Sequence, residues 1–282
     1  MKETILVTGS NGMIGSQLVK GLSESGYSVV GIDRFSDGKC YDNYDFKTCD
    51  LGDKEQLKQI FENTKIDRII HLAALAHTKN EKDLSWERYF HVNVECAKNI
   101  FEMAENRPVL FISTVDVFGF TKEGKVSPKT ETHPVSLYGK SKKMAEEECK
   151  KLSAYTIFRF SPVYTKEIKR DIQKRYYLKY PTIAYQIGKG SQYEILNIGK
   201  AVRSMVDWCS QETKKEIRII KDDEPMWTPD YIQKERQEGR AKIVLKIPRW
   251  MVNCGYSVLK GITGENKYTY LLNKAVHPLK TE

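Results

Sequence analysis

Tyr138 and Lys142 stand four residues apart in the stretch Tyr-Gly-Lys-Ser-Lys. On a helix that offset puts both side chains on one face. A lysine ammonium beside a tyrosine favours the phenolate and lowers a pKa that starts near ~10. The pair then has the chemistry of an acid/base for moving a hydroxyl proton near neutral pH. Thr114, after the run VLFIS, could hold a substrate oxygen next to the tyrosine hydroxyl.

A second set of residues suits phosphate binding. Gly9, Gly12 and Gly15 are spaced as G-x-x-G-x-x-G, directly after the strand-like TILVT and before a helical pattern. Glycines there permit a tight turn and close backbone approach, and a helix N-terminus offers N–H groups to a pyrophosphate. Asp33 follows 18 residues after Gly15, where a carboxylate accepts hydrogen bonds from ribose hydroxyls. An acid there repels a 2′-phosphate and favours NAD over NADP, a preference that the neighbouring Arg34 tempers.

The elements that must position these groups alternate. Strand-like runs at 4–8, 28–32, 68–72, 109–113 and 156–160 are separated by helical patterns at 13–25, 53–63, 93–105 and 137–152. Strands joined by helical crossovers predict an α/β fold, a Rossmann-type doubly wound parallel sheet. A dinucleotide-binding domain is expected over 1–160, with a smaller mixed α/β substrate-binding lobe over 161–282, the two free to interleave. In that lobe 165–177 reads as partly helical. Val202, Met205, Val206 and Cys209 fall at helical spacing, and Thr228-Pro229 reads as an N-cap and first turn. The apolar stretch 249–262, RWMVNCGYSVLKGI, reads as a docking helix of the lobe in preference to a membrane-surface helix.

The chain has 282 residues and a net charge of +9. Residues 1–155 carry a net −1 and residues 156–282 a net +10. No dense basic run interleaves with aromatics, so an anionic small substrate is preferred to nucleic acid. The six cysteines are scattered, with neither a CxxC nor zinc spacing, so no metal is expected and reduced thiols in a cytoplasm are. No stretch is long and apolar enough to span a bilayer. His71 reads as a buried, hydrogen-bonded histidine and His77 as a loop residue.

These residues resemble the extended short-chain dehydrogenase/reductase family, in its NAD-dependent epimerase/dehydratase branch. The matching pieces are TGSNGMIG (8–15), GIDR (31–34), Asp50-Leu51, HLAA (71–74), Asn93, STVDVFG (113–119), YGKSK (138–142) and RFSPVY (159–164), in the family's order. The resemblance implies that Gly9, Asn11, Gly12, Met13, Ile14 and Gly15 wrap the pyrophosphate of NAD. It implies that Asp33 holds the adenosine ribose and that Asp50 and Leu51 border the adenine. Leu72, Ala73 and Ala74 would line the nicotinamide side with Asn93 behind them, and Phe160 to Val163 would close over it. Thr114, Tyr138 and Lys142 would be the catalytic triad, with Lys142 also on the nicotinamide ribose.

The implied activity is epimerisation of a nucleotide-diphosphate sugar through a transient 4-keto sugar, in surface polysaccharide synthesis. The same residues would serve a reductase of a 4-keto nucleotide sugar or related carbonyl compound. A dinucleotide-binding sensor or scaffold without chemistry is a third reading, and the intact Tyr138/Lys142 pair argues against it. The dehydratase branch reads Thr-Asp-Glu where this chain has Thr114, Val115 and Asp116, which disfavours a dehydratase and leaves Asp116 as a base or substrate contact. The branch's Arg-x-x-Asn-x-x-Gly appears with Pro162 and Thr165 in place of Asn and Gly. Among Lys166, Lys169, Arg170, Lys174 and Arg175, Arg170 stands as the candidate for the substrate diphosphate, with Arg203 and Arg218 as others. Many members dimerise through the helices corresponding to 93–105 and 137–152, and the sequence allows a homodimer.

Overall fold

The structure, a computed structural model, describes residues 3–36, 38, 41–76, 85–120, 125–166 and 170–282, with the side chains of Arg170, Asp171, Lys267 and Val276 excepted. His77 and Lys169 therefore lie outside the described residues. The chain divides into two compact units. The first comprises Met1–Thr114, Leu137–Phe160 and Gly199–Ile220; the second comprises Val115–Ser136, Ser161–Ile198 and Lys221–Glu282.

The first unit is built on a seven-stranded sheet. Its first five strands are β1 (Thr4–Thr8), β2 (Ser28–Asp33), β3 (Tyr44–Thr48), β4 (Arg68–His71) and β5 (Val109–Thr114). Across the sheet the order is Glu216–Ile220, Tyr155–Phe160, β5, β4, β1, β2, β3, and every pairing is parallel. The sheet is thus the doubly wound one that the alternation predicts, and its strand order reverses between β1 and β4. Ligands of such sheets bind beyond the strand C-termini at that reversal. Gly9 follows β1 and Leu72 follows β4, which puts both on that edge.

The central strands are rich in apolar residues because helices cover both faces of a parallel sheet. Ile5, Leu6, Ile69, Ile70, Leu110, Phe111 and Ile157 are all sealed from solvent. The helix α1 (Met13–Glu24) turns Leu18, Val19 and Leu22 inward. Helix α2 (Lys54–Asn63) starts where Asp53 accepts the N–H groups of Glu55 and Gln56.

Several elements differ from the sequence reading. Tyr44–Thr48 and Glu216–Ile220 are further sheet strands that the sequence reading did not place; both are edge strands, and YDFKT mixes polar and aromatic residues. The helix expected from 93 begins at Trp86, where the Ser85 hydroxyl accepts the Arg88 N–H. It passes through a wider π turn, His91–Glu95, into Cys96–Ala104. The stretch 165–177 is helical in part, as expected, over Arg170–Gln173. Thr228 opens its helix with Trp227 at the cap, and its hydroxyl accepts the Ser191 N–H instead.

The division also departs from a single cut at 160/161. Glu216–Ile220 returns to the first unit because it pairs with Tyr155–Phe160. Residues 115–136 belong to the second because Lys125–Val126 pairs with Lys280–Thr281. The second unit has its own core, in which Ile172, Tyr176, Ala184, Met226 and Ile232 are buried around a three-stranded sheet.

Candidate active site

The glycine loop is shaped by contacts that only glycine permits. Gly9 has φ +69°, and a Cβ there would sit 2.9 Å from the Ala73 backbone. A Cβ on Gly15 would lie 2.1 Å from the Gly9 carbonyl oxygen. The loop is pinned by the Gly9 N–H on the Ile32 carbonyl at 2.8 Å and the Gly12 N–H on the Gly9 carbonyl at 3.0 Å. Gly12 caps α1 with no side-chain hydrogen bond at the cap among the described residues. A Cβ on Gly12 would meet only the Gly9 oxygen, at 3.2 Å, so the space over the helix start is open. Bare N–H groups under open space are what an anion needs at a helix N-terminus.

Asp33 ends β2 with its carboxylate held by two backbone donors: Asn11 N–H to Oδ2 at 3.0 Å and Arg34 N–H to Oδ1 at 2.8 Å. Each oxygen keeps lone-pair capacity for a further donor. Asn11 is tied in turn to the Phe35 carbonyl through its side chain. Arg34 is exposed. Tyr44 packs against Gly31, where a Cβ would be 2.3 Å from its hydroxyl, and that hydroxyl reaches Ser10 Oγ at 3.4 Å. Asp50 closes the turn before α2 by accepting the Gly52 N–H, and Leu51 is buried in the core.

On the other side of the reversal, Asn93 sits 1% exposed in the π turn. Its Oδ1 accepts the Leu75 N–H at 2.7 Å, and its Nδ2 donates to the Leu75 carbonyl at 3.0 Å and to Ser141 Oγ at 2.9 Å. Ser141 Oγ donates onward to the Tyr138 carbonyl at 2.8 Å. One amide thus locks the HLAA loop to the first turn of the helix Leu137–Cys149, which carries Tyr138 and Lys142. π turns are frequent at functional sites, and here the turn supplies this amide. Ala73 donates its N–H to Thr8 Oγ1 at 3.3 Å, while Ala74 is exposed.

Tyr138 is half-buried, with the Tyr89 ring 6.5 Å away. Thr114 is half-buried at the end of β5, in register with Phe160, which is 4% exposed. Lys142 is 1% exposed, its Nζ 4.0 Å from the centre of the Phe111 ring. Burial pushes its pKa down to about 7, against the opposing pull of Glu146 and Cys149. An amine with that pKa exchanges its proton near neutrality, where an ordinary lysine does not. His71 is fully buried, with Nδ1 2.8 Å from Thr8 Oγ1, and burial followed by the Lys142 charge lowers its pKa to about 3. It is neutral.

The remaining expected residues lie in the second unit. Asp116 accepts from Ser136, from Tyr270 at 2.8 Å and from Lys274. Burial raises its pKa, but the Lys274 ion pair and these hydrogen bonds outweigh it and hold the carboxylate below its usual range. It is a charged anchor of the C-terminal helix Lys267–Val276. Val163 lies in a short strand paired with Leu196, and the Pro162 carbonyl accepts the Leu196 N–H. Arg170 begins a short helix, and its side chain lies outside the described residues. Arg175 lies over the Tyr193 ring at 5.0 Å. In the first unit, Arg203 is exposed and Arg218 pairs with Glu216.

Sequence spacing did not find Ser141, Tyr89 or Glu146. Ser141 carried a signal only through its place inside YGKSK; the other two act through partners more than ten residues distant.

Known proteins bear on this geometry. The NAD dependent epimerase/dehydratase family matches residues 5–208. The chain is 32% identical to UDP-glucose 4-epimerase 2 of Arabidopsis thaliana over 171 residues, 53% of this chain and 47% of that one. It is 33% identical to the Drosophila melanogaster UDP-glucose 4-epimerase over 172 residues, 53% and 48% of the two chains. The chain spans about half the length of these curated relatives. The solved UDP-glucuronic acid 4-epimerase of Bacillus cereus, in complex with NAD, superposes at TM-score 0.69 with 25% identity, over 86% of this chain and 87% of that one.

Proposed function

Because the chain belongs to the NAD dependent epimerase/dehydratase family, we propose that it is an NAD-dependent epimerase of a nucleotide-diphosphate sugar, inverting the sugar at C4. The observation that carries this reading is the Asn93 bridge. It fixes the turn bearing Tyr138 against the loop beyond β4, at the edge where the glycine loop and Asp33 also stand. The similar proteins named above are 4-epimerases of UDP-sugars, and the solved one holds NAD.

The residues fit the dinucleotide. Gly9, Gly12 and Gly15 leave room over an uncapped helix start for its pyrophosphate, and the oriented Asp33 carboxylate suits adenosine ribose hydroxyls. NAD, when bound, supplies a reversible acceptor for the hydrogen on the sugar carbon. Tyr138 takes the proton from the sugar hydroxyl and returns it after the sugar has turned over. Thr114 Oγ1 holds the same oxygen. Lys142, four residues on in the same helix, lends positive charge to the tyrosinate and exchanges its proton near pH 7. The free thiols of Cys49, Cys96, Cys149 and Cys209, all buried, suit a reducing compartment, the cytoplasm. A role in surface polysaccharide synthesis is consistent with this substrate class.

The test is to denature the purified protein, identify the released nucleotide by mass, and assay interconversion of UDP-glucose, UDP-glucuronic acid and UDP-arabinose with their 4-epimers. Retained NAD with turnover on one pair is the expected result. An empty site with reduced-cofactor consumption on a keto sugar would replace the epimerase by a reductase. NAD binding without turnover on any sugar nucleotide would leave a sensor.

A further inference from the structure

The helix Arg249–Thr263 has no buried residue. Val252, Tyr256 and Leu259, on one side, are half-buried. The side facing outward is not the polar one. Trp250 is 66% exposed, Met251 50%, Val258 60% and Ile262 77%. At 100° per residue these four and Cys254 fall within an arc of roughly 120° that holds no charged residue. The parallel strand just before it, Ile243–Ile247, leaves Ile243 and Leu245 exposed as well. Eight of the fourteen large apolar side chains exposed among the described residues lie within 243–271. A patch of this kind marks an interaction surface.

The charge beside the patch says what it meets. Between Glu238 and Glu265 the chain has no acidic residue, while Arg240, Lys242, Lys246, Arg249 and Lys260 are all cations. Arg240 is paired with Glu235 and Glu238 and Lys260 with Glu265, so Lys242, Lys246 and Arg249 carry the net positive charge of this apolar segment. A second copy would bring the same cations face to face, which disfavours self-association. An anionic lipid surface satisfies both features at once, taking the apolar arc into the acyl boundary and the cations to the headgroups. At 1.5 Å per residue the helix is roughly 22 Å long, and no described helix is long and apolar enough to cross a membrane. It would lie in the plane, with Trp250 at the headgroup level, where tryptophan partitions.

We propose that Arg249–Thr263 is an interfacial helix that docks this protein on anionic lipid bilayers. The apolar side chains are outward and the docking is peripheral and reversible. The test is flotation of the full chain with vesicles of phosphatidylcholine, with and without phosphatidylglycerol, at low and high salt.

The wild type is expected to float with the anionic vesicles at low salt only. The variant Trp250→Glu/Ile262→Glu, at exposed positions, is expected to stay at the bottom with an unchanged circular dichroism spectrum and melting temperature. Lys246→Gln is expected to weaken binding about fivefold. No flotation of the wild type, or equal flotation of the double-glutamate variant, overturns the proposal. So does sedimentation showing a dimer that this variant splits, which would make a second copy the occupant.

Discussion

Arg159 and Glu146 form a two-contact ion pair sealed from water, with Nε to Oε1 at 3.0 Å and Nη2 to Oε2 at 2.7 Å. The side chains are 3% and 1% exposed. Ser113 Oγ donates to the same Glu146 Oε1 at 2.6 Å. The pair joins the strand Tyr155–Phe160 to the helix of Tyr138 and Lys142, and it also holds the residue before Thr114. Arg159, the first residue of the branch's Arg-x-x-Asn-x-x-Gly pattern, is engaged in this buried pair.

Arg159→Met leaves Glu146 buried without its cation and should cost about 3–5 kcal/mol in urea unfolding. Glu146→Leu/Arg159→Met removes both charges and should recover most of that loss. Equal instability of the single and double variants would show that packing, not charge, holds the junction.

Tyr138→Phe removes only the hydroxyl. Epimerisation should fall by about 10²–10⁴-fold, while NAD titrated by calorimetry binds as in the wild type. Undiminished turnover would exclude Tyr138 as the acid/base.

Asp33→Ser removes the carboxylate proposed to hold the adenosine ribose. NAD affinity should drop about tenfold, and NADP, no longer repelled, should gain on it. An unchanged NAD-to-NADP ratio would place selectivity elsewhere.

Lys142→Met should raise the melting temperature of the cofactor-free protein at neutral and lower pH while abolishing activity. Between about 7 and the ordinary 10.5, the unfolded chain holds a proton on Lys142 that the folded chain has released. Wild-type stability therefore rises with pH across this window, by at most about 1.4 kcal/mol per pH unit. The advantage of the variant should be greatest below pH 7 and shrink above it. A gap that does not change with pH would mean the lysine titrates normally in place.

His71 works in the opposite pH range. The unfolded imidazole takes up a proton below about 6.5, and the buried one only near 3. Stability should therefore fall as pH drops between those values. His71→Leu should flatten that part of the pH–stability curve, read by thermal unfolding across acid buffers. An equally steep acid loss in the variant would assign it to other groups.

The parts legible in the sequence were those in which chemistry and local backbone coincide. The glycine spacing could be read because Gly15 and Gly9 approach within the same turn. Asp33 could be read because it closes a strand, and Tyr138 and Lys142 because one helical turn separates them. Alternation of apolar strands with helices then led to the parallel sheet. Tyr44–Thr48 was not legible, since an edge strand of mixed residues borrows its conformation from the neighbour it bonds. The π turn was not legible either; its significance lies in the reach of Asn93 to Leu75 and Ser141.

The sequence by itself determined five of the seven sheet strands with the helices between them, the glycine loop and the one-turn spacing of Tyr138 and Lys142, because each depends on residues within a few positions of one another. Only the tertiary structure decided that Lys142 is buried on Phe111 with a lowered pKa. It alone showed Asp116 held by Tyr270 and Lys274, 154 and 158 residues away. It also showed the apolar side of Arg249–Thr263 turned outward. Burial and ion pairing depend on which distant groups exclude water, and periodicity along the chain carries no record of that.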